Sequence, residues 1–361
     1  MCLKFQSKRD EGSEKMYLDE KKEYIAIDIM KFLCALLVVS IHIPAFSDVN
    51  AGLSFWFNQV LCRMAVPFFF VSSGYFSADK LENREETLRY VKRLLILYSI
   101  YTFLYIPQIL FGYVKKGKSA SFIAQDFIRQ FFLVGSYWQL WYFVSLIAAV
   151  AVLYLFRKVF RLGIKRIIMI SAVLYIIGVL GNAYQNVFLN VPILGNILKI
   201  YYSIFETTRN GLFFGLFFTA AGYLIKMYND KIQDRKYLFV CCAAAAFLFL
   251  NIEVYMAKYY ADCEAASMFF AMPFVTIPLF LILCFIKIPE RYLQAGRMLR
   301  KMSVLIFGLH MFVDFYVGYI IRPLLNSLAY YCVVIGVTCI LSCVIIKLSK
   351  TKYLKALHYM Y

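Results

Sequence analysis

An all-α, polytopic membrane bundle is the fold class this sequence predicts, with about ten spans and both termini in the cytoplasm. Three observations carry that expectation. Of the 361 residues, 62% are hydrophobic and 19% aromatic, more than a soluble domain of this length holds. The apolar residues gather in stretches long enough to cross a bilayer. The basic residues gather in alternate connections between those stretches.

In chain order, residues 1–23 are charged and lack the apolar core of a cleaved signal peptide. They read as a cytoplasmic tail, which leaves the first span as the targeting anchor. Spans are expected over 24–45, 55–77, 93–113, 136–156, 166–188, 211–228, 237–257, 267–287, 302–322 and 328–348. Together, residues 24–348 make one membrane domain, and 349–361 a second cytoplasmic tail. Residues 189–210, LNVPILGNILKIYYSIFETTRN, are semi-apolar and suit an interfacial or re-entrant segment. With the N-terminus inside, the inner set of connections holds 29 Lys and Arg, and the outer set 8. Lys31 and Arg63 fall within spans. The net charge of +18 is therefore read as positive-inside loops facing anionic lipid, and a nucleic-acid partner is not expected.

The ten cysteines are scattered, with no CxxC and no Cys/His cluster, so neither a disulfide scaffold nor a structural zinc site is expected. His42, His310 and His358 are the full histidine complement, too sparse for a metal enzyme. No internal repeat is visible, which weighs against a transporter built from inverted repeats.

Charged groups at membrane depth cost several kcal/mol or more unless they find a partner or a wet cavity, on the order of ~3 kcal/mol at the least. In YIAIDIMKFLCALLVVSIHIPAF (24–46), Asp28, Lys31 and His42 interrupt an apolar helix. At 100° per residue they share one face, with Lys31 and His42 about 16 Å apart along the axis. The second span, RMAVPFFFVSSGYF (63–76), carries Arg63, a ladder-breaking Pro67 and a small polar patch at Ser72 and Ser73. A basic rim follows with Arg84, Arg89, Lys92 and Arg93, suited to phosphates or simply to the inner surface. Trp138 and Trp141 lie three apart and suit either an aromatic belt or a cavity. Glu206 and Arg209 stand at i, i+3, in position for an ion pair. His310 falls near mid-span with Asp314 one turn later, and is either structural or part of the cavity that His42 enters.

Taken together these segments resemble the acyltransferase family 3 membrane proteins. Lys31-x10-His42 is similar to the family's basic-x10-His signature, although Arg is commoner at the first position. RMAVPFFFVSSGYF is similar to its Arg, Val-Pro-Phe-Phe and Ser-Gly pattern, and RYVKRL (89–94) to its basic pair, without a clean Arg-x-x-Arg. LWYFVSL and SVLIFGLH resemble its later Leu-Trp-Phe and Ser-x6-His patterns.

The resemblance implies an O-acyltransferase of the plasma (inner) membrane that uses cytoplasmic acetyl-CoA or another acyl-CoA as co-substrate, with no bound cofactor. Its acceptor would be a hydroxyl of a surface glycan or lipid-linked sugar, within membrane lipid. On that reading His42 is the general base, with Lys31 and Asp28 beside it in the catalytic stripe. Arg63, Ser72, Ser73, Arg89, Lys92 and Arg93 would bind the donor, with Lys31 and Arg63 on its phosphates or on the oxyanion. Trp138, Trp141, Arg209 and His310 would line the acceptor side. Two other functions stay open: a small-molecule or amino-acid permease related to the membrane half of serine/alanine racemases, and an accessory subunit of surface-polymer assembly.

Overall fold

The computed structural model describes residues 23–228 and 235–361. Apart from Glu23, the expected N-terminal tail lies outside them, as does the connection 229–234. All regular structure among the described residues is helical. Eight helices are long and apolar enough to cross a membrane. They are α1 (Ile25–His42), α2 (Ala51–Ser77), α3 (Arg84–Lys115), α5 (Trp141–Val159), α9 (Gly211–Tyr228), α10 (Lys236–Tyr260), α12 (Leu293–Ile321 within the longer Glu290–Leu324) and α13 (Ser327–Leu348). Between them run α4 (Ala120–Arg129), α6 (Ile164–Leu180), α7 (Gln185–Leu189), α8 (Pro192–Phe205) and α11 (Met272–Phe285). The expected segment 166–188 is thus a 17-residue helix that ends at Gly181. The expected segment 267–287 forms helix only over the 14 residues of α11. Residues 189–210 supply the short amphipathic helix α8, which starts on Pro192 as a first-turn proline should.

α1 and α12 run in parallel. Ile25 packs on Gly296, Asp28 meets Arg300, and further along His42 meets His310. α2 runs the other way, so Tyr75 near its end donates to the Tyr24 hydroxyl at 2.7 Å, while Arg63 midway along it comes level with His42. Two ends follow, one marked by Asp28 and one by His42, about 21 Å apart along α1 at 1.5 Å per residue.

At the Asp28 end both Asp28 and Glu23 are committed. Arg300 donates to both Asp28 oxygens, at 2.8 and 2.7 Å, and reaches Glu23 at 3.3 Å, which Arg297 also holds. The Arg297 hydrogen bond, against the opposing effect of partial burial, together with the Arg300 charge keeps Glu23 below the usual carboxylate range. α3 starts earlier than the apolar pattern alone predicts. Asn83 caps it by accepting from the backbone of Glu85 and Glu86, two acids well placed against the helix dipole. Residues 349–361 fold back: a turn of 3-10 helix over Lys355–Met360 carries the Tyr361 ring into a buried position.

α2 and α9 cross with their backbones in contact. A Cβ on Gly74 would lie 2.0 Å from the Thr219 carbonyl oxygen, and one on Gly222 would lie 2.0 Å from that of Val71. Small residues are what permit such approach between helices in lipid. Gly74→Ala is therefore expected to cost about 1–3 kcal/mol, as overpacking does. Gly112→Ala, whose Cβ would meet nothing within 4 Å, should leave the melting temperature in detergent unchanged or raised. Equal melting of both variants would contradict the close crossing. Arg300→Met should cost about 3 kcal/mol by stranding the Asp28 carboxylate, which is 1% exposed. The same melt checks it, with Arg297→Met as the milder control.

Candidate active site

α2 is not one continuous α-helix. It opens as α-helix over Ala51–Trp56, loosens into a π turn at Phe57–Leu61, tightens to 3-10 at Cys62–Met64, and resumes over Ala65–Ser77. Pro67, expected to break the ladder, sits in the first turn of that resumed segment, where its missing N–H costs little. The break lies upstream and re-aims Arg63; π turns of this kind often mark functional positions.

Opposite Arg63, residues 261–271 form no regular structure before α11. Their backbone is satisfied by side chains from neighbouring helices, as non-helical chain at this depth requires. Glu253 of α10 accepts from the N–H groups of Phe270 and Ala271, at 2.6 and 2.8 Å, just ahead of α11. The carboxylate also meets the positive end of that helix dipole. Asn182 accepts from Ser267 and Met268, and Gln59 from Ala266. The result is a fixed Ser267. Its hydroxyl oxygen accepts from Arg63 Nη1 at 3.1 Å and from Arg209 Nη1 at 3.2 Å.

These groups line a small cavity with His42, Gln139, Trp141, Phe214, Phe307 and the aliphatic side chains of Val38, Ile41 and Val66. The Arg209 guanidinium lies over the Trp141 ring, 4.4 Å from its centroid. Arg63 is steadied by Gln59 through its Nε at 3.3 Å. No carboxylate lies within ion-pair distance of either arginine among the described residues. The Arg209 Nε is buried without a hydrogen-bond partner, and so is Oε1 of Gln139. Behind His42 stands His310, fully buried, with ring centroids 5.3 Å apart. Nδ1 of His310 bonds the Ile306 carbonyl at 2.9 Å, and its Nε2 has no partner.

Of the residues singled out from the sequence, the fold brings together His42, Arg63, Trp141, Arg209 and His310. It does not bring Asp28 and Lys31 to them. Asp28 is held by Arg300 at the other end of α1, and Lys31 lies 4.5 Å over the Phe76 ring. Ser73 shares a hydrogen bond with Tyr142 in mid-bundle, and the Ser72 hydroxyl is buried without a partner. Arg89 pairs loosely with Glu85 and is exposed. Lys92 is on the same helix start, and Arg93 donates to the Tyr361 backbone oxygen at 3.2 Å. Trp138 is 70% exposed in a turn, because the helix starts only at Trp141, after Gly135 at φ +116°. Glu206 does not pair with Arg209. It takes Arg129 at 2.6 Å instead, in a cluster with Asp126 and Gln130. Partial burial raises the Asp126 carboxyl, but hydrogen bonds from Tyr113 and Arg129 outweigh it and hold the group low. Asp314 accepts from Tyr330 at 2.6 Å and leaves His310 alone.

The model of the acyltransferase domain family (Acyl_transf_3) matches residues 24–347. The chain belongs to that family. Similar curated proteins include an amino-acid racemase of Enterococcus faecalis, 32% identical over 232 residues, which are 62% of this chain and 32% of that protein. A second amino-acid racemase of the same organism is 26% identical over 71% of this chain and 37% of its own length. A serine/alanine racemase of Enterococcus gallinarum is 25% identical over 57% and 29%. The chain thus spans about a third of the length of these relatives. No solved structure matches.

For this family member, the groups that sequence reasoning missed are Ser267, Gln139, Gln59, Asn182 and Glu253. Only Glu253 carried a signal, an acid inside the seventh apolar segment. Its role is tested by Glu253→Ala, which frees two backbone N–H groups and should cost about 2–3 kcal/mol in a detergent melt. Glu253→Gln, which keeps an acceptor oxygen, should cost visibly less. Indistinguishable melts for the two would remove the cap from this account.

Proposed function

We propose that this family member is an integral membrane O-acyltransferase of the plasma membrane, moving an acyl group, in the first instance acetyl, from cytoplasmic acyl-CoA to a hydroxyl of a cell-surface glycan or similar acceptor. One observation carries the reading: His42 stands in a cavity beside two guanidinium groups that no carboxylate neutralises. An imidazole takes the proton of the acceptor hydroxyl as its oxygen attacks the thioester carbon. The tetrahedral oxyanion that forms is stabilised by Arg63, whose neighbours Gln59 and Ser267 hold it in place. Collapse breaks the C–S bond. The thiolate leaves with the proton that His42 took, giving the ester and free CoA.

The basic group Arg89, Lys92 and Arg93 starts α3 at the Asp28 end, which suits the phosphates of the donor's nucleotide. Lys31 stands at that same end and serves the donor before the reacting carbon. Asp28 is then an organiser of the helix pair α1 and α12 through Arg300. Both termini inside the cell follow from the charge split among the connections.

A second reading is favoured by the relatives, which are named amino-acid racemases over proteins about three times the matched length. On it the membrane unit binds and moves an amino acid without chemistry. Consumption of acyl-CoA separates the two.

The deciding experiment follows labelled acetyl-CoA in proteoliposomes holding the full chain and a mixture of sugar and polyol acceptors. His42→Ala should lose about 10²–10⁴ in turnover while melting as the unsubstituted protein does. Full activity in the variant would refute the general base. No turnover by either protein would refute the acyltransferase reading in favour of the amino-acid carrier.

A further inference from the structure

The cavity holds one cation more than its chemistry uses. Acyl transfer develops a single oxyanion, and one guanidinium answers it. The donor brings its charges on the nucleotide, which the α3 cations at the opposite end of the bundle suit, and the thioester end that enters the cavity is neutral. Arg209 is left over. It shares Ser267 with Arg63, lies over the Trp141 ring, and keeps its Nε buried without a hydrogen-bond partner. Glu206, the acid nearest to it in sequence, is taken up by Arg129. A guanidinium whose Nε is buried without a partner, and which meets no carboxylate among the described residues, is costly unless a ligand supplies the charge.

We propose that the acceptor is itself an anion, a hydroxyl compound bearing a carboxylate close to the hydroxyl that is acylated, and that Arg209 is the residue that reads the carboxylate. This deepens the acyltransferase reading and rests on it. Three features select a carboxylate. The surplus is one positive charge, matching a carboxylate, whereas a phosphate monoester carries about −1.5 to −2 at neutral pH. The Arg209 guanidinium lies over the Trp141 ring with its Nε unpartnered, and the N–H fork of a guanidinium matches the two coplanar oxygens of a carboxylate. Arg209 lines the same cavity as His42 and shares the Ser267 hydroxyl with Arg63, so an anionic group that reaches it lies within a few bonds of a hydroxyl presented to His42. Gln139, lining the same cavity with Oε1 unpartnered, is available to a hydroxyl donor on such a ligand.

Two matched sets of probes test this on the full chain in detergent by isothermal titration: glycerate, glycerol and glycerol 3-phosphate, then glucuronate and glucose. In at least one set the carboxylate should bind ten-fold or more tightly than its neutral counterpart and more tightly than the phosphate. Arg209→Gln should abolish that preference, and Arg209→Lys should keep part of it, with unchanged melting showing that each variant is folded. His42→Ala should keep the preference for the carboxylate over its neutral counterpart, since that preference is read by Arg209. The proposal is overturned if neither set shows a carboxylate preference, if the phosphate binds best, or if the preference survives Arg209→Gln. Carboxylate binding without any acetyl-CoA consumption would keep the anion site and remove the acyltransferase reading. Turnover on glycerol or glucose without a carboxylate preference would do the reverse.

Discussion

Charge in an apolar bundle must be answered, and the arrangement of this protein follows from where the answers are protein groups and where they are not. At one end Asp28 is enclosed and Arg300 closes on both its oxygens, so two parallel helices, α1 and α12, are fixed in register. That register carries along the chain and sets His42 against His310 some 10 residues further on in α12. At the other end Arg63 and Arg209 converge on a neutral hydroxyl. The same rule that makes the first pair a structural clamp makes the second pair a candidate ligand site, because a low dielectric magnifies an unanswered charge as strongly as an answered one.

Holding two cations together without an acid needs a rigid frame, and the frame is built from backbone that is not helical. The π and 3-10 turns in α2 and the irregular stretch 261–271 face each other across the cavity. The irregular stretch would expose polar backbone in lipid, and side chains meet it: Gln59, which also steadies Arg63, takes Ala266, Asn182 takes Ser267 and Met268, and Glu253 takes Phe270 and Ala271. The close crossing of α2 on α9 at Gly74 and Gly222 presses the same helix into place from behind. Precision at Arg63 is thus a product of three independent constraints on one helix.

Much of the fold was legible because a span is the simplest pattern a sequence can carry. Apolar length located every long helix, His42, Arg63 and His310 stood out as polar groups in apolar surroundings, and Arg209 was singled out by its spacing from Glu206. The misreadings share a cause. Periodicity aligns groups by angle and ignores depth, so Asp28, Lys31 and His42 looked like one site when about 21 Å of helix separates the first from the last. Sequence neighbours also proved poor guides to partners: Glu206 went to Arg129 rather than Arg209, and Asp314 to Tyr330 rather than His310. Ser267, Gln139 and Asn182 were invisible, since a neutral polar residue beside an apolar run has no signature until the fold shows what it bonds. Helix starts drifted for a related reason. Asn83 moved α3 forward by capping, and Gly135 delayed α5, neither of which hydropathy registers.

The separation of the two ends is itself informative about mechanism. Lys31, at the end of the bundle where the cationic start of α3 also lies, is about 16 Å from His42 along α1, half the roughly 30 Å of a hydrocarbon core. Coenzyme A has its charge at one end and its thioester at the other, joined by a long flexible arm, so a donor anchored by its phosphates at one face would present a neutral acyl group deep in the bundle. An acceptor entering from the opposite face meets it there, with no need for either substrate's charged end to cross the membrane. On this arrangement acyl transfer across a bilayer requires no large conformational change, only a cavity at the right depth whose charge suits what arrives from each side. The donor's phosphates would be met at the entrance, leaving the charge inside the cavity to be set by the acceptor.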